Sequence, residues 1–302
     1  MAVESRVHPA PDLSGRLLRV AADYAALLKP KIILLLVVTE LGAMIAAARG
    51  WPAPGPLLGG LAGGAMAAGG AGAINCWFDR DIDAVMPRTK RRPIPAGRIA
   101  PVHGLGFGIA VALAGVALIA VSSHVLAAAL AAAGGVFYVF VYTMWLKRTT
   151  TQNIVIGGAA GAFPPLVGWA VVTGSLSPLA WALFAIIFFW TPPHFWALAL
   201  LLRRQYSAVN VPMLPVVAGP ARTRRAILAY TAIMVAVSLV PVVWLGFAYG
   251  SASLILGSAF LYLAWRAVRA EDGPSAMALF HYSLAYLALI FVAVAISAVV
   301  PV

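Results

Sequence analysis

The chain has 302 residues, 63% of them hydrophobic and only 10% charged, with a mean hydropathy of +0.95 and a formal net charge of +12. Soluble domains carry roughly 25% charged residues, so this chain has too few charges to cover a water-facing surface, and its composition places it in the membrane class. A single cysteine, Cys76, excludes an internal disulfide framework and a cysteine-only metal site.

Near the N-terminus, a polar stretch gives way to Leu17, Leu18, Val20, Ala21, Tyr24, Leu27 and Leu28. Their spacing puts most of the apolar side chains on one helical face and predicts an interfacial helix within a cytoplasmic segment, 1–29, ahead of a single intramembrane domain, 30–302. The first long apolar run begins near Ile32, too late for the order of a cleavable signal peptide. A span needs about 20 apolar residues. Nine runs satisfy this, at 32–49, 54–77, 102–121, 124–145, 154–172, 178–201, 226–247, 251–268 and 278–300. Short turns such as Ser122-Ser123 and 173–177 join spans on one side, and the long connections 78–101 and 202–225 lie on the other. The expected fold is therefore all-α, a polytopic bundle of nine transmembrane helices.

Of the 21 Lys and Arg, 20 fall on the side of the long connections, and only Arg49 lies opposite. Cytoplasmic loops collect Lys and Arg. The expected topology is a multi-pass protein of the cell (plasma or inner) membrane with the N-terminus inside and the C-terminus outside. The net charge becomes a topology signal, and nucleic-acid binding loses its support; membrane lipids are the surroundings this chain requires.

The second span is rich in Gly and Ala, which let helices approach closely in lipid. It ends in Asn75-Cys76-Trp77-Phe78-Asp79-Arg80-Asp81-Ile82-Asp83. Asn75, Asp79 and Asp83 are spaced i, i+4, i+8 and stack on one helical face. Two carboxylates and an amide suit magnesium, which binds through a few carboxylates plus substrate phosphates. The alternative is a solvated helix end whose acids pair with Arg80, Arg88 or Arg92. Asp81 points about 200° away from Asp79 and reads as a local ion-pair partner or a supporting group. The following loop, Met86-Pro87-Arg88-Thr89-Lys90-Arg91-Arg92-Pro93, is dense in cations and stiffened by proline. Arg88 and Arg92 are the expected diphosphate ligands, because guanidinium holds phosphate through paired hydrogen bonds. Lys90, Arg91 and Arg98 are expected to face lipid or water.

These residues resemble the UbiA superfamily of intramembrane prenyltransferases. Met86-x-Arg88-Thr89-x2-Arg92-Pro93, Lys29-Pro30-Lys31, Tyr138 and Tyr142 before Trp145-Leu146-Lys147-Arg148, Asn153 with Gly157-Gly158, Gly168-Trp169 and Trp190-Thr191-Pro192-Pro193-His194-Phe195-Trp196 are similar to its haem-directed branch. The resemblance covers roughly residues 25–300. It implies a central cavity open to the cytoplasmic side, with farnesyl diphosphate as the isoprenoid diphosphate donor, Mg2+ as the ion and protohaem (haem B) as the acceptor. It also implies that Asn75, Asp79 and Asp83 hold the metal. Arg88, Arg92, Tyr142, Lys147, Arg148, Asn153, Arg203, Arg204 and Gln205 would hold substrate, with Lys147, His194 and Tyr206 among the catalytic groups. Association with haem A synthase or terminal oxidase assembly is a further expectation from that branch.

One departure stands out. Haem-directed members tend to have an acid just before the Tyr of the loop after span six, and here Gln205 precedes Tyr206. Gln coordinates through a neutral carbonyl, which puts a second magnesium in doubt and leaves Arg203, Arg204, Tyr206 and Asn210 to hold the diphosphate more directly. His194 follows Pro192-Pro193, where the helix is expected to kink; it reads either as a haem contact or proton relay, or as a packing histidine. Glu40 lies within the first span and must face protein or a wet cavity. Two rivals stay open: a prenyltransferase acting on a quinone precursor or another aromatic acceptor, and a membrane transporter. Against the transporter, the ionisable cluster lies at one membrane face rather than at the midplane.

Overall fold

The computed structural model describes residues 13–270 and 273–300; of the predicted N-terminal segment, Arg6 lies outside them. Every element is helical: α1 Leu13–Leu27, α2 Pro30–Ala48, α3 Pro54–Phe78, α4 Arg80–Val85, α5 Pro101–Ser122 and α6 Val125–Val136. The last continues as a π-helix, Phe137–Leu146, and then as α7 Lys147–Thr149. There follow α8 Asn153–Thr173, α9 Pro178–Leu201, α10 Arg203–Ala208, α11 Leu214–Val217, α12 Gly219–Leu239, α13 Val242–Ala270 and α14 Gly273–Val299.

The long helices form a closed ring in which each packs on the next. It runs from α3 through α5, α6, α8, α9, α12, α13 and α14 to α2, which returns to α3. α8 and α9 are the most buried, and α8 also touches α2 and α3 across the ring. The tightest seam joins α3 and α5. A Cβ on Gly115 would come within 2.5 Å of the Gly63 carbonyl, and one on Gly108 within 3.0 Å of the Gly70 carbonyl. These glycines let two backbones touch, which is how helices gain packing in lipid without a hydrophobic driving force. α1 leaves Leu17, Leu18 and Val20 largely exposed, while Leu27 is buried and Tyr24 packs edge-on against Phe107 at 4.9 Å.

Among the described residues, eight helices are long and apolar enough to cross a bilayer. α12 has 21 residues but carries Arg222, Arg224 and Arg225 near its start. The expected seventh span, 226–247, is displaced: α12 ends at Leu239, and α13 begins at Val242. Pro241 has no N–H to continue α12. The Ser238 carbonyl instead accepts from the Tyr249 hydroxyl at 2.8 Å and from Ser253 Oγ at 2.9 Å. Gly246, at φ 74°, then turns the chain into the long part of α13. Pro192 and Pro193 lie inside α9, which stays helical through them.

Replacing Gly115 with Val should destabilise the protein by about 1–3 kcal/mol or abolish folding, because backbone fills the space its side chain needs. Val at Gly106, which has no neighbour within 4 Å, should be tolerated. Thermal unfolding of both variants in detergent measures the difference; equal midpoints would contradict the seam.

Candidate active site

The last turn of α3, α4 and the loop behind it assemble the site. α3 ends at Phe78, yet the helical ladder continues across the junction: Asp79 N–H donates to Asn75 O at 2.9 Å and Asp83 N–H to Asp79 O at 2.8 Å. Asn75, Asp79 and Asp83 therefore keep their common face, and all three are buried. Burying carboxylates costs several kcal/mol each unless they are paired, and both are. Lys147 Nζ meets Asp79 Oδ2 in a short contact, and Arg148 reaches Asp79 Oδ1 at 3.4 Å. Arg92 Nη1 meets Asp83 Oδ2 at 2.6 Å. Asn75 Nδ2 donates to Asp79 Oδ2 at 2.7 Å, while its Oδ1 accepts from Lys29 Nζ at 2.5 Å.

Asp81 turns away from this face, as its helical position dictates, and pairs with both terminal nitrogens of Arg148 at 2.8 Å. That guanidinium holds its carboxyl down at about 2. Of the other cations in the loop, Arg80 lies over the Trp77 ring, Arg98 pairs with Asp23 at 2.9 Å, and Lys90 and Arg91 are exposed. Arg88 is exposed, and its charge acts on the hydroxyl of buried Tyr206. Burial pushes the Tyr206 hydroxyl up, against the pull of Arg88 and Arg92, and keeps it a proton donor.

The π-helix explains why Lys147 is here. Lys147 lies nine residues after Tyr138, about two and a half turns of an α-helix and thus on the opposite face. The i→i+5 bonding of a π-helix widens each turn and brings Tyr138, Thr143 and Lys147 to the same side. Asn75 Nδ2 reaches Thr143 Oγ1 at 3.1 Å, Lys29 Nζ reaches the Tyr138 hydroxyl at 3.3 Å, and Tyr138 and Tyr142 stack at 5.6 Å. Gly157 makes room for the Tyr142 ring. Sequence reasoning missed Lys29 and Thr143 as members of the cluster. For Lys29 a signal existed in the lysine that precedes Pro30 where the first span begins; for Thr143 a period of 3.6 gives none.

The remaining predicted residues divide. Asn153 is buried, with its Nδ2 3.5 Å from the Lys147 carbonyl, and Gln205 stands beside Tyr206; Asn153 Oδ1 and Gln205 Oε1 have no hydrogen-bond partner among the described residues. Arg203 and Arg204 are exposed, and Arg203 lines a small crevice with Pro220 and Arg224, so neither is drawn into the cluster. His194 is buried between the Trp190 ring at 4.3 Å and the Phe280 ring at 4.9 Å. Its Nδ1 lies 2.7 Å from Ser283 Oγ. That hydroxyl gives its one proton to the Phe280 carbonyl at 2.6 Å, so Nδ1 is the donor and Nε2 carries the lone pair. Glu40 is buried against Gly64, with Oε1 unpartnered among the described residues.

No group of three His, Cys, Asp or Glu gathers among the described residues. The donors gathered at this face are two carboxylates and an amide carbonyl. That set is oxygen-only and short of a full protein cage, which fits a hard cation that keeps waters and shares substrate phosphates.

This geometry is that of an intramembrane helical bundle with a charged site at one membrane face. A solved structure of a UbiA homolog from Archaeoglobus fulgidus bound to DMAPP and Mg2+ superposes on it with a TM-score of 0.64 at 15% identity, over 90% of this chain and 99% of that one. The model of the UbiA prenyltransferase family matches residues 35–297, and the chain belongs to that family. It is 50% identical over 280 residues to a protoheme IX farnesyltransferase of Roseiflexus sp. (strain RS-1), across 92% of this chain but 52% of the relative. It is 51% identical to a protoheme IX farnesyltransferase of Acidiphilium cryptum (strain JF-5), over 90% of this chain and 89% of the relative. The chain thus spans about half the length of the first of these and nearly all of the second.

Lys147→Met should cost about 3–5 kcal/mol of stability, because it takes the nearest cation from a buried carboxylate. Adding Asp79→Asn should recover most of that loss. Chemical unfolding of the single and double variants reads the coupling, and a Lys147→Met protein as stable as wild type would show that Asp79 does not need its partner.

Proposed function

We propose that this chain transfers a farnesyl group from farnesyl diphosphate to a vinyl group of protohaem IX, giving haem O. The observation that carries the reading is the pair of buried carboxylates, Asp79 and Asp83, each held by cations that a diphosphate can recruit. The names of the half-identical relatives support the choice of donor and acceptor. Asn75, Asp79 and Asp83 would hold Mg2+, and the unpartnered Gln205 carbonyl is a candidate for a further oxygen. The ion would supply charge neutralisation for the leaving diphosphate.

The protein's own groups account for the rest. Lys147, Arg148 and Arg92 exchange part of their contact with carboxylate for phosphate oxygens, and Arg88 adds a further cation. As the allylic C–O bond breaks, its electron pair goes to the diphosphate, and these cations meet the charge where it grows. The stacked faces of Tyr138 and Tyr142 lie beside the cluster and favour the allylic cation. The vinyl π-electrons then form the new C–C bond. Water adds to the resulting cation and loses a proton, which leaves a hydroxyethylfarnesyl side chain. Tyr206, whose burial keeps its hydroxyl protonated, donates a hydrogen bond to the diphosphate.

The topology belongs to the same proposal. α12 measures about 31 Å at 1.5 Å per residue, and its arginines lie on the side of the long basic connections. It is the ninth crossing of a cell-membrane protein whose Asp79 end faces the cytoplasm. Association with a haem A synthase or with oxidase assembly would follow from the use of its product.

Purified protein given farnesyl diphosphate, Mg2+ and haem B should release haem O, identified by mass. Asp79→Asn and Asp83→Asn should lower turnover at least 100-fold while the proteins still fold, and chelation of Mg2+ should abolish it. Undiminished turnover in both variants would overturn the reading. Prenylation of a quinone precursor but not of haem would move it to another acceptor. Gln205→Asp should tighten Mg2+ dependence if that side chain meets the metal; an unchanged Mg2+ titration would exclude the contact.

A further inference from the structure

At the end of the bundle opposite Asp79 lies a cavity of about 650 Å³, between the ends of α2, α8 and α14 and the starts of α9 and α13. Arg49, Trp169, Ser177, Trp244, Leu245 and Ser297 are among its lining residues. Among the described residues, Arg49 is the one Lys or Arg on this side. No Asp or Glu falls in the segments 49–53, 122–124, 173–177 or 240–246 that join helices here, and no ion pair to Arg49 occurs among the described residues.

The C-cap of α2 places a guanidinium at this point, with Gly50 N–H donating to the Ile45 carbonyl at 3.2 Å. Arg49 caps α2 in the left-handed region, at φ 49° and ψ 36°, while Gly50, which would take that conformation freely, comes one residue later. Non-glycine residues hold such angles only where the surroundings compensate, and they cluster at binding sites. An exposed cation without a carboxylate, beside two indole rings at a membrane–water boundary, has the chemistry of a lipid headgroup site.

We propose that this cavity binds an anionic phospholipid of the leaflet opposite the Asp79 site. Arg49 holds the headgroup phosphate, Trp169 and Trp244 flank the glycerol, and the apolar wall formed by Leu245 and Val299 takes the first acyl carbons. The site is separate from the prenyl-transfer site and does not rest on the proposed reaction.

The test uses the full chain in lipid nanodiscs and reads tryptophan quenching by acyl-brominated lipid. Brominated phosphatidylglycerol, diluted into phosphatidylcholine, should quench a component that disappears in Trp244→Phe. Arg49→Gln should raise the phosphatidylglycerol fraction needed for that component about tenfold, the size of one charge-assisted contact, with the unfolding midpoint unchanged. Brominated phosphatidylcholine in unlabelled phosphatidylglycerol should not produce the component. A protein lengthened by several residues after Val302 should keep the preference. Three results would each overturn the proposal: equal quenching by the two lipids, indifference to Arg49→Gln, or loss of the preference on lengthening. Displacement of the lipid by haem B at matched concentration would also overturn it, by giving the site to the acceptor's propionates.

Discussion

Two carboxylates buried at one membrane face hold this structure's working end together. An ionised carboxylate in a low-dielectric setting must find cations or lose its charge. Asp79 and Asp83 find them on separate pieces of chain: Lys147 and Arg148 after the π-helix, and Arg92 in the loop behind α4. Lys29, at the start of α2, joins through Asn75. Each partner is a tether, so the need to satisfy two charges fixes the relative positions of α2, α3, the π-helix and the following loop. The same contacts are exchangeable. A diphosphate with a divalent cation carries both signs and can take over the cations and the carboxylates in one step, so the stabilising network and the proposed binding site are one set of atoms.

The π-helix is the structural device behind this arrangement. Ten residues wound with a wider turn bring Tyr138, Thr143 and Lys147 to one face. π-helical turns cost hydrogen-bond quality and occur often at functional sites. Here the gain is visible: an α-helix would turn Lys147 half a turn away from Tyr138, and Asp79 would lose its shortest contact.

Much of the bundle was legible because bilayer thickness and helix rise leave few choices. The Asn75–Asp79–Asp83 face was legible for a similar reason, since i, i+4, i+8 positions align wherever the ladder runs on. Asp81, expected to turn away from that face, pairs with Arg148. The rest depended on events that hydropathy does not record. The boundary between α12 and α13 follows from Pro241 and from two hydroxyls that cap the Ser238 carbonyl, whereas the apolar run continues unbroken across it. Arg203 and Arg204 look equivalent to Arg92 in sequence but face outward, because the side of α10 that packs inward is that of Tyr206. Lys29 entered the cluster through the helix that starts at Pro30, which a search for acidic ladders does not consider.

The most direct measurement is a structure of the protein with Mg2+ and a non-hydrolysable farnesyl diphosphate analogue. Lys147 and Arg92 should then contact phosphate oxygens, with Asp79 and Asp83 turned to the metal and the prenyl chain running inward from them. A diphosphate bound elsewhere, with the Lys147–Asp79 and Arg92–Asp83 contacts both intact, would contradict the assignment of this cluster as the substrate site.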